Sequence, residues 1–246
     1  MSVETPDELA ALKAVGRVVA DTIRAMRRAV RPGITTAELD AIAAREFARA
    51  GARSGPALDY GFPASTCISV NDEAVHGIPG KRRLRRGDLV KLDVTAELDG
   101  FYADSCRTVF VGEPRPRAAR LVRTAEQALS AAMKVARTGA PLNAIGATVQ
   151  QTVHTRGFSV CDGLMGHGIG RRIHESPEVP NTFERALSQP LTEGLVITIE
   201  PLVAAGGPAV VLGHDGWTVS TADAALSAHA EHTLVIQDGA PLVLTA

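Results

Sequence analysis

Cysteine is scarce in this chain of 246 residues: only Cys67, Cys106 and Cys161 are present. An odd, sparse count argues against a disulfide framework, and no CxxC pair offers zinc two thiolates. Long apolar runs are lacking as well. No stretch approaches the ~20 apolar residues that a bilayer-spanning helix needs, so no membrane partner is expected. The opening stretch "MSVETPDELAALKAVG" has no basic segment followed by an apolar one. No secretory leader is read there, and the expected compartment is a reducing cytoplasm. Net charge is −1, which excludes a global field that would gather nucleic acid or an anionic surface. The local basic run Lys81–Gly87 reads first as a solvated loop, and second as a contact for RNA or a large acidic partner.

What is present is ordinary globular material, 45% hydrophobic and 22% charged, in a chain long enough for a sizeable core. Leu9, Leu12, Val19, Ile23, Met26 and Val30 form one apolar stripe, which predicts a helix from Pro6 to about Val30. Pro32 and Gly33 end it. Thr35 with Glu38 makes a capping box for a second helix that buries Leu39, Ile42, Ala43 and Phe47 and stops at Gly51. The segment Val30–Gly51 aligns without gaps to Ala136–Gly157, and each copy follows an amphipathic helix. These matches predict a single domain, residues 1–246, with an internal repeat at approximately 6–112 and 116–246.

Strands follow each helix pair. Asp99–Gly100 between two alternating runs predicts a two-residue hairpin. A second hairpin is predicted around Asp238–Gly239, and Trp217 is placed in a further strand after a tight turn. With Asp99 and Gly100 as the loop, Asp93 lies opposite Cys106 and Thr95 opposite Asp104. Asp93 and Asp104 then share a face as diagonal neighbours, roughly 7–8 Å apart. Two carboxylates among aliphatic strands either face solvent or need a cation, a proton or a metal.

The second half supplies more acids. Glu200 ends the aliphatic run "VITIE", and Glu231 opens "EHTLVIQ". The repeat offset carries Asp93 to the residue beside Glu200. His76 is read in a loop before the strand of Asp93, and His167 in a loop before the strand of Glu200. Four carboxylates and an imidazole form a hard, oxygen-rich donor set, which suits Mn²⁺, Fe²⁺, Co²⁺ or Zn²⁺ and suggests two ions. His154, His214, His229 and His232 read as surface or structural residues.

The segments "SVNDEAVHGIP", "GDLVKLDVTAELDGFYADS", "GHGIGRRIHESPEV", "GLVITIEPLV" and "SAHAEHTLVI" resemble the type I methionine aminopeptidases in content, order and spacing. The resemblance implies an α+β pseudo-two-fold "pita-bread" fold, the creatinase/aminopeptidase fold, with two related halves around a central antiparallel sheet. It implies a hydrolase that removes the initiator methionine from nascent proteins when the second residue is small, using a water shared by two divalent ions. Asp93, Asp104, His167, Glu200 and Glu231 would be the metal ligands. Glu200 would also take the proton from the water. His76 and His174 would contact substrate around the scissile bond, and Phe62, Cys67 and Trp217 would form the methionine pocket.

Ser227 and the loop Asn71–Glu73 match a monovalent-cation site in some members. Asp59, Phe62, Ile173 and Ala230 depart from the aromatic residues common in the family, which puts pocket shape in question. Glu175 receives no role. Implied partners are nascent chain N-termini, with transient ribosome contact by a monomer and no specific nucleic acid. Too short a segment separates His174 from Glu200 for the type II insertion. The alternatives are an X-Pro aminopeptidase or dipeptidase of the same fold, and a non-catalytic binding protein on this scaffold.

Overall fold

Two helix pairs, each followed by antiparallel strands, set the architecture of the computed structural model, which describes residues 1–246. The first half runs α1 (Pro6–Ala29), α2 (Thr36–Ala50), β1 (Arg53–Ser54), α3 (Gly55–Tyr60), β2 (Cys67–Val70), β3 (Glu73–Val75), β4 (Leu89–Leu98) and β5 (Phe101–Phe110). The second opens with α4 (Pro116–Val135) and α5 (Asn143–His154), then β6 (Ser159–Val160), β7 (Gly166–Gly168), β8 (Glu175–Val179), β9 (Val196–Ile199) and β10 (Leu202–Ala204). It closes with β11 (Val210–Leu212), β12 (Val219–Thr221), β13 (Ser227–His229), β14 (His232–Val235) and β15 (Leu242–Val243).

The helix boundaries follow local chemistry. Both bonds of the Thr35–Glu38 capping box form, and Gly51 ends α2 in the left-handed conformation. The matching helix α5 follows Leu142, which offers no side-chain cap, so the repeat preserves helix order but not capping.

The apolar stripes build two cores. In the first, Leu12, Val19 and Met26 of α1 pack with Leu39 and Phe47 of α2 on Val90, Leu92 and Val94 of β4. In the second, Leu121, Ala125 and Leu129 of α4 pack with Ile145 and Val149 of α5 on Ile197, Ile199 and Leu234. Because strand side chains alternate, sending Val90, Leu92 and Val94 to the helices turns Lys91, Asp93 and Thr95 the other way, towards the second half.

The β4–β5 register is the one the hairpin turn predicts: Asp93 pairs with Cys106 and Thr95 with Asp104. Asp99 and Gly100 both have positive φ, as that tight turn requires. The halves meet where β5 runs beside β14. Glu231 N donates to Cys106 O at 3.0 Å, and Thr233 Oγ1 donates to Asp104 O at 2.7 Å.

Two expectations change. His167 lies within strand β7 rather than in a loop, because Gly166 and Gly168 let that strand pair closely with its neighbours. Trp217 sits in the turn ahead of β12, where Asp215 Oδ1 accepts its N–H at 2.9 Å. The last hairpin is centred on Asp238–Gly239, but its paired part is short, with only Leu234 opposite Val243 and Val235 opposite Leu242. The basic run is largely exposed, with Leu84 buried and Arg82 paired to Glu73 at 2.6 Å.

The capping asymmetry yields a test of the fold. Thr35→Ala removes the hydroxyl that caps α2 and should lower stability by about 1 kcal/mol. Urea unfolding followed by circular dichroism measures it, and an unchanged midpoint would show that the cap contributes nothing.

Candidate active site

One cavity of ≈ 450 Å³ lies between the two halves, and all ten residues expected as metal ligands, substrate contacts or methionine-pocket walls line it. Asp93 and Asp104 arrive on the β4–β5 face, Glu200 at the end of β9, and Glu231 between β13 and β14. The strand pairing brings these four acids together from far apart in the chain.

The tightest donor cluster is Asp104, His167 and Glu231, whose ligand atoms all lie within 4.8 Å of one another. Glu200 Oε1 stands 3.6 Å from His167 Nε2. Asp104 Oδ1 is buried without a hydrogen-bond partner. Burial pushes the carboxyls of Asp93, Asp104, Glu200 and Glu231 up, and the negative charge of Asp104 adds to the rise at the other three. Such a set is unstable as four bare anions and is relieved by cations. The orphaned Asp104 oxygen and the hard donors fit a divalent metal.

Local sequence explains the poise of His167. A Cβ on Gly166 would lie 2.6 Å from Thr198 O, so only glycine permits the close pairing of this strand. His167 N donates to Thr198 Oγ1 at 3.0 Å, and its Nδ1 lies 2.9 Å from Gly168 O. That carbonyl accepts the Nδ1 proton, which leaves Nε2 as the free lone pair facing the acids. Burial, aided by His174, pushes the imidazole down to about 3 and keeps it neutral.

The rest of the cavity divides into an apolar end and a polar mouth. Phe62 and Trp217 meet edge to face with ring centres 5.1 Å apart, and Cys67 sits beside Asp93 through the β2–β4 pairing. His174 stands over His167 with ring centres 4.1 Å apart, and its Nδ1 lies 2.6 Å from Tyr60 Oη. His76 adopts a left-handed backbone, φ 58°, immediately after β3.

Several functional features escaped sequence reasoning. Tyr60 lines the cavity, whereas its neighbour Asp59 does not. Asp59 instead accepts the hydroxyl of Tyr102 at 2.8 Å and the N–H of Ile173 at 3.4 Å. Ile173 and Phe62 do line the cavity, while Ala230 belongs to the second core. Glu175 has a task after all: it pairs with the Met1 ammonium and accepts the N–H groups of Arg171 and Arg172 at 2.6 and 2.9 Å.

His229 is 1% exposed, and neither ring nitrogen has a hydrogen-bond partner. Its Nε2 faces Glu200 and Glu231 at 3.5 and 3.8 Å. Its place two residues before Glu231 was the available signal. His232 is buried and structural, held by Arg107 and by Thr245 Oγ1 at 2.7 Å, while His154 and His214 are exposed. The Asn71 and Ser227 oxygens expected around a monovalent cation receive the Lys91 ammonium instead.

Comparison with known proteins agrees with this geometry. The model of metallopeptidase family M24 matches residues 10–238. A methionine aminopeptidase of Clostridium perfringens is 41% identical over 97% of this chain and 96% of the relative. The crystal structure of methionine aminopeptidase from Rickettsia prowazekii superposes with a TM-score of 0.96 at 34% identity, over the whole of both chains. The prolidase from Pyrococcus furiosus shares the fold, with a TM-score of 0.80 at 22% identity over 99% of this chain and 65% of that one. The chain belongs to metallopeptidase family M24, has its pita-bread fold, and groups there with the methionine aminopeptidases.

Proposed function

We propose that this enzyme hydrolyses the first peptide bond of nascent proteins, releasing the initiator methionine when the second residue is small. The observation that carries the reading is the union, in one cavity, of an acid cluster with an apolar end walled by Phe62, Cys67 and Trp217. That end suits an unbranched thioether side chain, which packs well against aromatic rings. The similarity to methionine aminopeptidases over nearly the full chain supports the same substrate. Residues 1–246 would act as a single domain.

Asp93, Asp104, His167, Glu200 and Glu231 would hold two divalent ions. Such ions supply Lewis acidity, lowering the pKa of water and polarising a carbonyl. Co²⁺, Mn²⁺, Fe²⁺ and Zn²⁺ all suit the donor set. Glu200 is assigned the proton from the attacking water. Tyr60, donating to Nδ1 of His174, would leave the proton of that ring on Nε2, where it can donate to the substrate carbonyl. His76, which lines the same cavity, would exchange a proton near the scissile bond.

The natural substrates would be chain N-termini, met in a reducing cytoplasm by a monomer in transient contact with the ribosome. The three cysteines are all free and buried, and no helix is long and apolar enough to cross a membrane.

Release of methionine from Met-Ala-Ser, Met-Leu-Ser and Ala-Pro peptides under each divalent metal tests this directly. Met-Ala-Ser should be cleaved and the other two spared. Silence with every metal would sink the proposal, and preferential cleavage of Ala-Pro would favour the X-Pro reading. Two variants probe the assigned roles. Tyr60→Phe should lower kcat about tenfold with little change in KM, as loss of an orienting bond to a transition-state donor does. Trp217→Ala should lower kcat/KM for Met-Ala-Ser by about 10–100-fold; steady-state kinetics with an unchanged constant would remove Trp217 from the pocket.

A further inference from the structure

Lys91 is the most deeply buried cation in the chain, with 1% of its surface exposed. Its Nζ donates to Asn71 O at 2.7 Å, Ser227 Oγ at 3.0 Å and Ser227 O at 3.2 Å. Three donors therefore meet three oxygens, and no carboxylate lies within ion-pair reach. The environment is a neutral cage of two backbone carbonyls and a hydroxyl. Such cages are the usual hosts of potassium-sized monovalent ions, whose hydration shell the carbonyls replace. A buried lysine more commonly finds an acid.

The cage joins three chain segments that carry the site. Asn71 lies in the β2–β3 turn with a positive φ of 61°, and His76 follows β3. Ser227 opens β13, which leads through His229 to Glu231. Lys91 itself lies on β4, on the strand face that also bears Asp93. The Asn71 carbonyl also accepts the N–H of Ser227 at 3.0 Å, and Ser227 Oγ reaches Glu73 O at 3.1 Å. Removing the cation would take away three N–H donors at once, leaving the cage oxygens with only the N–H and hydroxyl of Ser227 to serve them.

We propose that Lys91 acts as a covalently tethered monovalent cation, filling an oxygen cage that would otherwise take K⁺ or NH₄⁺. The enzyme then needs no free monovalent ion to hold the Asn71–Glu73 turn against β13. Cutting the side chain back should convert the cage into a binding site for such an ion.

The test is thermal unfolding of the full chain with saturating Mn²⁺, in KCl, NH₄Cl or tetramethylammonium chloride at equal ionic strength. The natural chain should unfold at the same temperature in all three. Lys91→Ala should unfold about 5–10 °C lower in tetramethylammonium chloride and recover much of that loss, saturably, in KCl or NH₄Cl. Lys91→Met fills the space without charge and should remain equally low in every salt. The proposal is overturned if Lys91→Ala is equally unstable, or fails to fold, in all three salts. It is also overturned if the natural chain itself gains stability from K⁺, or if Lys91→Met recovers as fully as Lys91→Ala.

Discussion

Four carboxylates held together out of water repel one another, and much of this fold exists to keep them there. Asp93, Asp104, Glu200 and Glu231 come from two halves, and burial raises the carboxyls of all four. Left alone, such a cluster costs stability. The helices offset that cost from a distance: each pair seals an apolar core on the back of the strands that present the acids. The seam between β5 and β14 then fixes the two pairs of acids relative to each other through Glu231 N and Thr233 Oγ1. Stability is generated behind the sheet and spent in front of it.

The neutral groups around the acids have complementary tasks. The Gly168 carbonyl accepts a hydrogen bond from Nδ1–H of His167, so the free lone pair on Nε2 faces the cluster. Tyr60 orients His174 over the cavity. Phe62 and Trp217 wall the end where a side chain would lodge. Lys91 brings positive charge to the same sheet face yet leaves the acids unpaired, because its three protons are taken by Asn71 and Ser227. A cation that neutralised the cluster would compete with a metal for it.

Much of this was legible in the sequence because it depends on local rules. Asp99–Gly100 forces a two-residue loop, and that loop alone fixes which face Asp93 and Asp104 share. Thr35 and Glu38 announce a helix start for similar reasons. What stayed hidden depends on long-range packing. The strand character of His167 rests on a close approach to Thr198, which only the folded chain defines. Tyr60 and Asp59 are adjacent in α3, and only the orientation of that short helix decides which one meets the cavity. The task of Glu175 requires Met1 to return across the fold. His229 reads from the sequence as a surface or structural residue, and only the course of β13 places it against Glu200 and Glu231.

In the proposed metal centre these acids stand against their own stability until a divalent ion binds. Asp104→Asn keeps the shape of the side chain and removes its negative charge. Its thermal unfolding, with and without Mn²⁺, should be compared with that of the natural chain. The metal-free variant should unfold at a higher temperature than the metal-free natural chain, and it should lose most of the rise produced by Mn²⁺. A variant less stable without metal that still gained the full rise on adding Mn²⁺ would contradict it.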